Sequence, residues 1–378
     1  METPFTFGKI ATKSNFADRE EETARLVINF SSMINTILIS PRRWGKSSLV
    51  NKAALTASKK DIKLRFVFID LYNVRSEEEF YILLAKHILL ASSSRMEELI
   101  DKAGKFMGKL IPKLSFSTEP NSDFNISFDW ESVKKDPDDI LNLPENLAKE
   151  KNIKFVICID EFQNISSFGD TMVIQKKLRS NWQKHQNTTY CLYGSKRHML
   201  IDVFTSVSMP FYKFGDIIFL QKIEKKALQK FIIKRFNDTG KTIDKTSAGN
   251  VVDKAECHPY YVQQLAQLVW LRTADVCNTN IVEEAHQGLI MQLDFLFQAN
   301  TDNLSNTQVN FLKALLEGVE QLSSKETLRN YRLGTSANVQ RIKTSLENKD
   351  ILDLYGNRIS FIDPMYKYWL KTVYFRIK

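Results

Sequence analysis

Two stretches of this chain carry residue types spaced for phosphate and metal chemistry. The first, Ser40-Pro41-Arg42-Arg43-Trp44-Gly45-Lys46-Ser47-Ser48, fits the phosphate-binding pattern G-x-x-x-x-G-K-[ST] at every fixed position but the first, where Ser40 replaces glycine. In such a loop the backbone N–H groups, with those of the following helix N-terminus, point at one spot and favour negative charge there. Gly45 lets the backbone approach phosphate oxygens, Lys46 reaches the β- and γ-phosphates as a point charge, and the Ser47 hydroxyl holds Mg²⁺. Ser40 is tolerable provided its backbone is not left-handed. The alternative is a chance match in an ordinary strand, turn and helix.

The second stretch, Lys154 to Glu161, is an apolar strand ending in two carboxylates. Asp160 would contact the Mg²⁺ shell, and Glu161 would orient and activate a water for attack on the γ-phosphate. Such an ending is common by chance, but here it follows the loop in the order and distance expected of one ATPase domain. A third strand ends in Gly194-Ser195, with Lys196-Arg197-His198 after it. Strands in such sheets present their C-terminal ends to the ligand, so Ser195 and Arg197 are candidates to sense the γ-phosphate. Arg197 can equally be a solvated arginine at a helix start.

The elements that must position these residues follow from periodicity. Ile34 to Ile39 reads as the strand before the loop, and Leu64 to Asp70 and Lys154 to Asp160 as buried parallel strands. Thr189 to Ser195 and Asp216 to Leu220 complete five strands. Helices are expected from about Asn15 to Phe30, Ser76 to Ser92 and Thr171 to Gln186. Leu99, Phe106 and Leu110, with lysines around them, suggest a basic amphipathic helix that packs on the sheet or lies on a membrane surface. The alternation of Phe124, Ile126, Phe128 and Trp130 suggests an inserted hairpin. From Glu224 the chain reads as helices, with Pro259 placed to begin one and His258 as a helix-start residue satisfied by backbone. After a polar stretch from Asn300 to Thr307 come three helical patterns, Gln308 to Glu317, Ser324 to Tyr331 and Ser336 to Asn348. A hairpin turning at Gly356-Asn357 follows, so the tail describes a winged helix. Its third helix offers Arg341, Lys343 and Lys349 to DNA or, equally, a surface to protein.

With 378 residues, two or three domains are expected. A composition 43% hydrophobic and 26% charged is that of an ordinary globular protein. No apolar run approaches the roughly 20 residues of a membrane span, and the first residues lack a signal peptide's apolar core, so a cytoplasmic protein is expected. Cys158, Cys191, Cys257 and Cys277 form no C-x-x-C pair and read as small buried hydrophobes, and the histidines show no metal-ligand spacing. The formal charge of +9 leans toward an acidic partner without deciding it.

In this order the pieces resemble the archaeal-type ATPases of the AAA+ superfamily, close to the signal-transduction ATPases with multiple domains. The resemblance runs over nearly the whole length. It rests on Phe16 to Glu22, SPRRWGKSS at Ser40 to Ser48, ICIDE at Ile157 to Glu161, Gly194-Ser195, His258-Pro259-Tyr260-Tyr261, and Asp363-Pro364 to Trp369-Leu370. It implies an α/β P-loop core with strand order 5-1-4-3-2, a helical lid and a winged helix that locks or reports the nucleotide state. The implied boundaries are residues 1–221 for the core, with an insertion at about 93–150, then 222–299 for the lid and 300–378 for the winged helix. It also places Asp18 and Arg19 near the adenine, brings His258 and Pro259 from the lid toward the nucleotide, and makes Arg197 the arginine that senses the γ-phosphate. Two departures stand out: Ser40 lacks the first glycine, and Cys257 stands where relatives often have glycine.

The function expected is a Mg²⁺-dependent ATPase switch, binding ATP and ADP through Ser40 to Ser48. Lys46, Glu161, Ser195 and Arg197 would be its catalytic set, and Ser47 and Asp160 its metal-holding pair. The alternative is a nucleic-acid-binding module in which ATP is structural or slowly hydrolysed. A partner-triggered switch and an oligomer sharing an arginine both stay open, with Arg42, Arg43 and Arg179 too ordinary to nominate.

Overall fold

The computed structural model describes residues 3–11, 15–92, 113–115, 125–127, 133, 137–356 and 359–377. The expected basic helix over 99–111 lies outside them, as do Phe124, Phe128 and Trp130 of the expected hairpin. The chain divides into two compact units. One comprises Arg19–Ser40 with Lys46–Gln221, and the other Met1–Asp18, Pro41–Gly45 and Lys222–Lys378.

The first unit is a five-stranded parallel sheet with helices. Its strands are β1 (Thr36–Ile39), β2 (Leu64–Asp70), β5 (Lys154–Asp160), β6 (Thr188–Gly194) and β7 (Asp216–Phe219), in spatial order β2-β5-β6-β1-β7. Counted along the sheet strands alone, that order is 5-1-4-3-2, as expected. The middle strands are apolar on both faces because both faces are covered: every residue of β1 and β6 is buried, and β5 is buried from Phe155 to Ile159. Short strands β3 (Lys113–Ser115) and β4 (Asn125–Ser127) pair antiparallel as a separate hairpin.

The helices are α1 (Glu20–Ser31), α2 (Lys46–Lys60), α3 (Glu77–Ser92), α4 (Asp138–Lys151), α5 (Thr171–Trp182) and α6 (Arg197–Thr205). Helix α1 begins five residues later than Asn15 because Asp18 and Arg19 are both left-handed (φ 57° and 73°), a conformation that cannot continue into a right-handed helix from upstream. The helix is held to the sheet edge where Arg25 Nε and Asn29 Nδ2 each donate at 2.8 Å to Asp216 Oδ2 at the start of β7. An aromatic group under the sheet joins Phe162, Trp182, Tyr190, Phe211 and Phe214, with Trp182 and Tyr190 stacked at 4.0 Å. Each such ring contributes roughly 1.5–3 kcal/mol on burial.

The second unit opens with helices α7 (Lys225–Asn237), α8 (Lys245–Lys254), α9 (Pro259–Arg272) and α10 (Thr279–Asp302). Strands β8 (Thr242–Ile243) and β9 (Val276–Cys277) pair parallel. Helix α10 runs unbroken through Asn300, and the polar stretch expected to separate domains supplies its last turn. A full capping box at Ser305 and Gln308 then starts α11 (Asn306–Leu316). Helices α12 (Lys325–Asn330) and α13 (Ser336–Asn348), the antiparallel pair β10 (Leu352–Asp353) and β11 (Ser360–Phe361), and α14 (Pro364–Trp369) complete the winged helix. Phe297 of α10 packs on Tyr366 and Trp369 of α14, so the long helix and the winged helix share one core. Among the described residues no helix is long and apolar enough to cross a membrane.

Candidate functional site

The loop after β1 meets the condition set for it. Ser40 is buried and its φ is not positive, whereas Arg43 (φ 63°) and Gly45 (φ 87°) take the left-handed turns. The missing first glycine therefore costs no strain, and glycine sits where the backbone needs it. Pro41 is buried, Arg42 exposed, and Trp44 holds a buried Nε1 with no hydrogen-bond partner among the described residues. Lys46, 6% exposed, opens α2, with Ser47 and Ser48 after it.

The two stretches read as chemistry are brought together. Ser47 Oγ donates to Asp160 Oδ2 at 2.7 Å, and the Glu161 N–H donates to Asp160 Oδ1 at 2.8 Å. Burial raises the Asp160 pKa above the usual carboxylate range; those two donors and the Lys46 charge pull it back, while the Glu161 charge adds to the rise. A hydroxyl and a carboxylate this close are oxygen donors of the kind that would hold Mg²⁺. The donor set fits the ion, and the orphaned Trp44 Nε1 fits a loop built to meet an acceptor.

Glu161 follows β5 in a left-handed conformation (φ 51°), which turns its side chain out of the strand's alternation. Its Oε2 accepts from Ser195 Oγ at 2.9 Å, from Ser195 N at 3.3 Å and from Gln163 Nε2. Ser195, expected to sense phosphate, is bonded here to that carboxylate, because the ends of β5 and β6 lie side by side. Arg197 is the first residue of α6. Arg19 is buried, and its Nη1 donates at 2.8 Å to both Glu22 Oε1 and the Gln221 carbonyl. Asp18 precedes it at the unit boundary.

In the other unit, His258 caps α9 with no side-chain cap bond, and its buried Nδ1 has no partner among the described residues. The expectation of a histidine satisfied by backbone fails for that ring nitrogen, although the His258 N–H does reach the Ala255 carbonyl at 2.8 Å. Burial, with the Lys222 and Arg43 charges, pushes the imidazole pKa down to about 3, so it is neutral. Pro259 occupies the first turn of α9. Cys257, where the resemblance leads one to expect glycine, is left-handed (φ 58°), the conformation in which glycine is at ease.

Three contacts beside these residues were not foreseen from the sequence. The Arg43 guanidinium stands over the Tyr260 ring, the Tyr261 hydroxyl donates to Asp363 Oδ2 at 2.5 Å, and Lys367 pairs with Glu256 at 2.7 Å. Asp363 in turn caps α14 by accepting from the Met365 and Tyr366 N–H groups. Of the basic set expected on the third helix of the winged helix, Lys349 falls past the helix end and donates to the Asn303 carbonyl. The remaining miss is Gln163, whose spacing from Glu161 matched no motif.

Comparison with known proteins agrees with this architecture. The family model described as "Probable winged helix domain" matches residues 295–372. Among solved structures, the Walker-type ATPase of Pyrococcus abyssi superposes with a TM-score of 0.65 at 18% identity, over 96% of this chain and 97% of that one. The ORC2 protein of Aeropyrum pernix, solved in ADPNP and ADP complexes, superposes with a TM-score of 0.54 at 13% identity, over 94% and 92%. None of the curated proteins compared with the chain matches it in sequence. The chain has the fold of a P-loop, Walker-type ATPase with a C-terminal winged helix.

Proposed function

We propose that this chain binds ATP with Mg²⁺, hydrolyses it, and passes the nucleotide state to its helical lid and winged helix. The observation that carries the reading is the 2.7 Å bond joining Ser47, at the head of α2, to Asp160, at the end of β5. It supports reading a loop hydroxyl and an acidic strand end as one metal-binding pair. Loop amides from Ser40 to Ser48 and the Lys46 ammonium bind the phosphates. Ser47 and Asp160 hold the ion, which when bound neutralises charge on the β- and γ-phosphate oxygens. Glu161 orients the attacking water, Arg197 stabilises charge developing on the γ-phosphate, and Ser195 reports its presence by exchanging its bond to Glu161 for one to phosphate. Asp18, Arg19, His258 and Pro259 are the further residues that the resemblance assigns to nucleotide contact.

The coupling reading rests on the second unit. Arg43 of the loop, Tyr260 and Tyr261 of α9, and Asp363 of α14 form a chain of contacts from phosphate loop to winged helix. The boundaries 1–221, 222–299 and 300–378 are the proposed core, lid and winged helix.

Calorimetric titration with ATP and ADP, with and without Mg²⁺, beside a phosphate-release assay, tests the reading. Mg²⁺-dependent ATP binding with turnover is expected. Absence of nucleotide binding in both conditions overturns it.

A further inference from the structure

We propose that Gln163 is a positioning residue for hydrolysis, holding the Glu161 carboxylate in the orientation from which it engages water. The role rests on the ATPase reading of the same site.

Gln163 is 2% exposed and sits in the 3₁₀ turn Phe162–Ser167 that follows Glu161. Its Nε2 donates to Glu161 Oε2, the oxygen that also accepts both Ser195 bonds. A carboxylate only accepts, so chemistry fixes which end of the amide faces it: the NH₂ meets Glu161 and the carbonyl points away. That carbonyl, Oε1, is buried and has no hydrogen-bond partner among the described residues. A buried amide that leaves one end unsatisfied in order to serve the other is held there by its service to Glu161.

The neighbouring strand makes room for this arrangement. A Cβ added at Gly194 would overlap Gln163 Oε1, lie 3.1 Å from its Cδ and 3.3 Å from the Glu161 Cα. Gly194 is not among the residues of positive φ, so space rather than backbone freedom requires glycine there. The donors from Gln163 and Ser195 converge on Oε2, and every hydrogen bond that the described residues give the Glu161 side chain goes to that oxygen. Oε1 of Glu161 is the oxygen left for water. Glu161 itself occupies a sparsely populated backbone conformation, which persists only where surrounding groups over-determine it.

The test is a double-mutant cycle on steady-state ATP hydrolysis, with nucleotide affinity measured separately by fluorescent-analogue binding. Gln163→Ala is expected to lower kcat about tenfold or more while KM and nucleotide affinity stay within about twofold, the pattern of an interaction used only in the transition state. Gly194→Ala is expected to do the same by displacing the amide. In the Gln163→Ala background, where the amide is gone and only the 3.3 Å approach to the Glu161 Cα remains, Gly194→Ala is expected to cost clearly less than it costs alone. The isosteric Gln163→Glu, which keeps the shape, puts a like charge beside Glu161 and is expected to move the acidic limb of the kcat profile to higher pH. A Gln163→Ala enzyme as fast as or faster than the unmutated one overturns the role, as do additive losses in the cycle or an unmoved limb in Gln163→Glu. An unmutated protein that binds nucleotide without turning it over sinks the ATPase reading itself, whatever the variants do.

Discussion

The guanidinium carbon of Arg43 lies 4.8 Å from the centroid of the Tyr260 ring, so a residue of the phosphate loop rests on the first turn of α9. A cation over an aromatic face is worth about 0.5–2 kcal/mol depending on its desolvation. That is enough to bias a helix without locking it. Replacing Tyr260 by Leu is expected to remove this bias while keeping an apolar side chain. In the unmutated protein, ATP should change amide hydrogen exchange over Pro259–Arg272 and Pro364–Trp369. In Tyr260→Leu the change over the second segment should be lost. Equal nucleotide-dependent exchange in both proteins would remove Arg43 and Tyr260 from the route.

Lys46→Ala is expected to weaken ATP binding by roughly a hundredfold, since hydrogen bonds to charged partners contribute about 1.5–3 kcal/mol each. Ser47→Ala should behave differently, because Ser47 bonds Asp160 and its proposed role is to hold the ion. Its ATP affinity should cease to depend on Mg²⁺ while Mg²⁺-free ADP binding persists. Titrations with and without chelator separate the two, and a Ser47→Ala protein still tightened by Mg²⁺ would contradict the metal assignment.

Glu161→Gln keeps the size of the side chain and its place beside Ser195 and Gln163. It should retain nucleotide affinity and lose about 10²–10⁴-fold in phosphate release, the usual contribution of a positioned base. Single-turnover release at the unmutated rate would exclude Glu161 from water activation.

Tyr261→Phe removes the hydroxyl that donates to the buried Asp363. Burial raises the Asp363 pKa above the usual carboxylate range, while the Tyr261 donor, the α14 N–H groups and the Arg43 charge lower it. The donor favours the ionised form, so its loss should cost about 1–3 kcal/mol where Asp363 is charged and less as pH falls and the group protonates. Thermal melts at neutral and acidic pH read this out: the Tm gap between Tyr261→Phe and unmutated protein should narrow on acidification. A gap independent of pH would show that the phenol acts by packing alone.

His286 is fully buried in α10 against the Tyr368 ring at 4.5 Å, and neither ring nitrogen has a hydrogen-bond partner among the described residues. Burial, then the Lys254 charge, pushes its pKa down to about 4, with Glu283 opposing. Because the folded value is depressed, the unfolded chain takes up a proton below about pH 6.5 that the folded chain refuses, and stability is lost from there down to about pH 4. His286→Phe should flatten the fall of Tm across that window. Parallel slopes in the two proteins would show that His286 contributes nothing to acid sensitivity.

Much of the core was legible because it follows from repetition and from fixed spacing. Apolar runs marked β2, β5 and β6 as strands, although β2, expected to be buried, is the sheet edge and exposes Arg65 and Asp70; the loop and the Asp160-Glu161 pair announced themselves by residue type. What stayed hidden depends on partners distant in sequence or on backbone angles. Nothing in the order Phe162-Gln163 says that a glutamine will reach back two residues, or that Gly194, 31 positions on, is vacant for its sake. Asp18 and Arg19 looked like part of a helix because charge and polarity do not reveal a left-handed φ. That Asn300 lies within a helix was hidden because a polar helix end and a polar linker share a composition. His258 was read as satisfied because its orphaned nitrogen is decided by what packs around it.

Cys158 of β5 and Cys191 of β6 stand opposite one another in register, both fully enclosed, and burial raises the Cys158 thiol well above its ordinary range. An alkylating reagent can reach that pair only when the two central strands part, the same event that would dismantle the acidic end of β5. Of the four cysteines only Cys257, in the other unit, is not fully buried, so it is the one expected to react without sheet opening. The protein therefore carries an internal clock for sheet opening, with its own zero mark, and needs no added label.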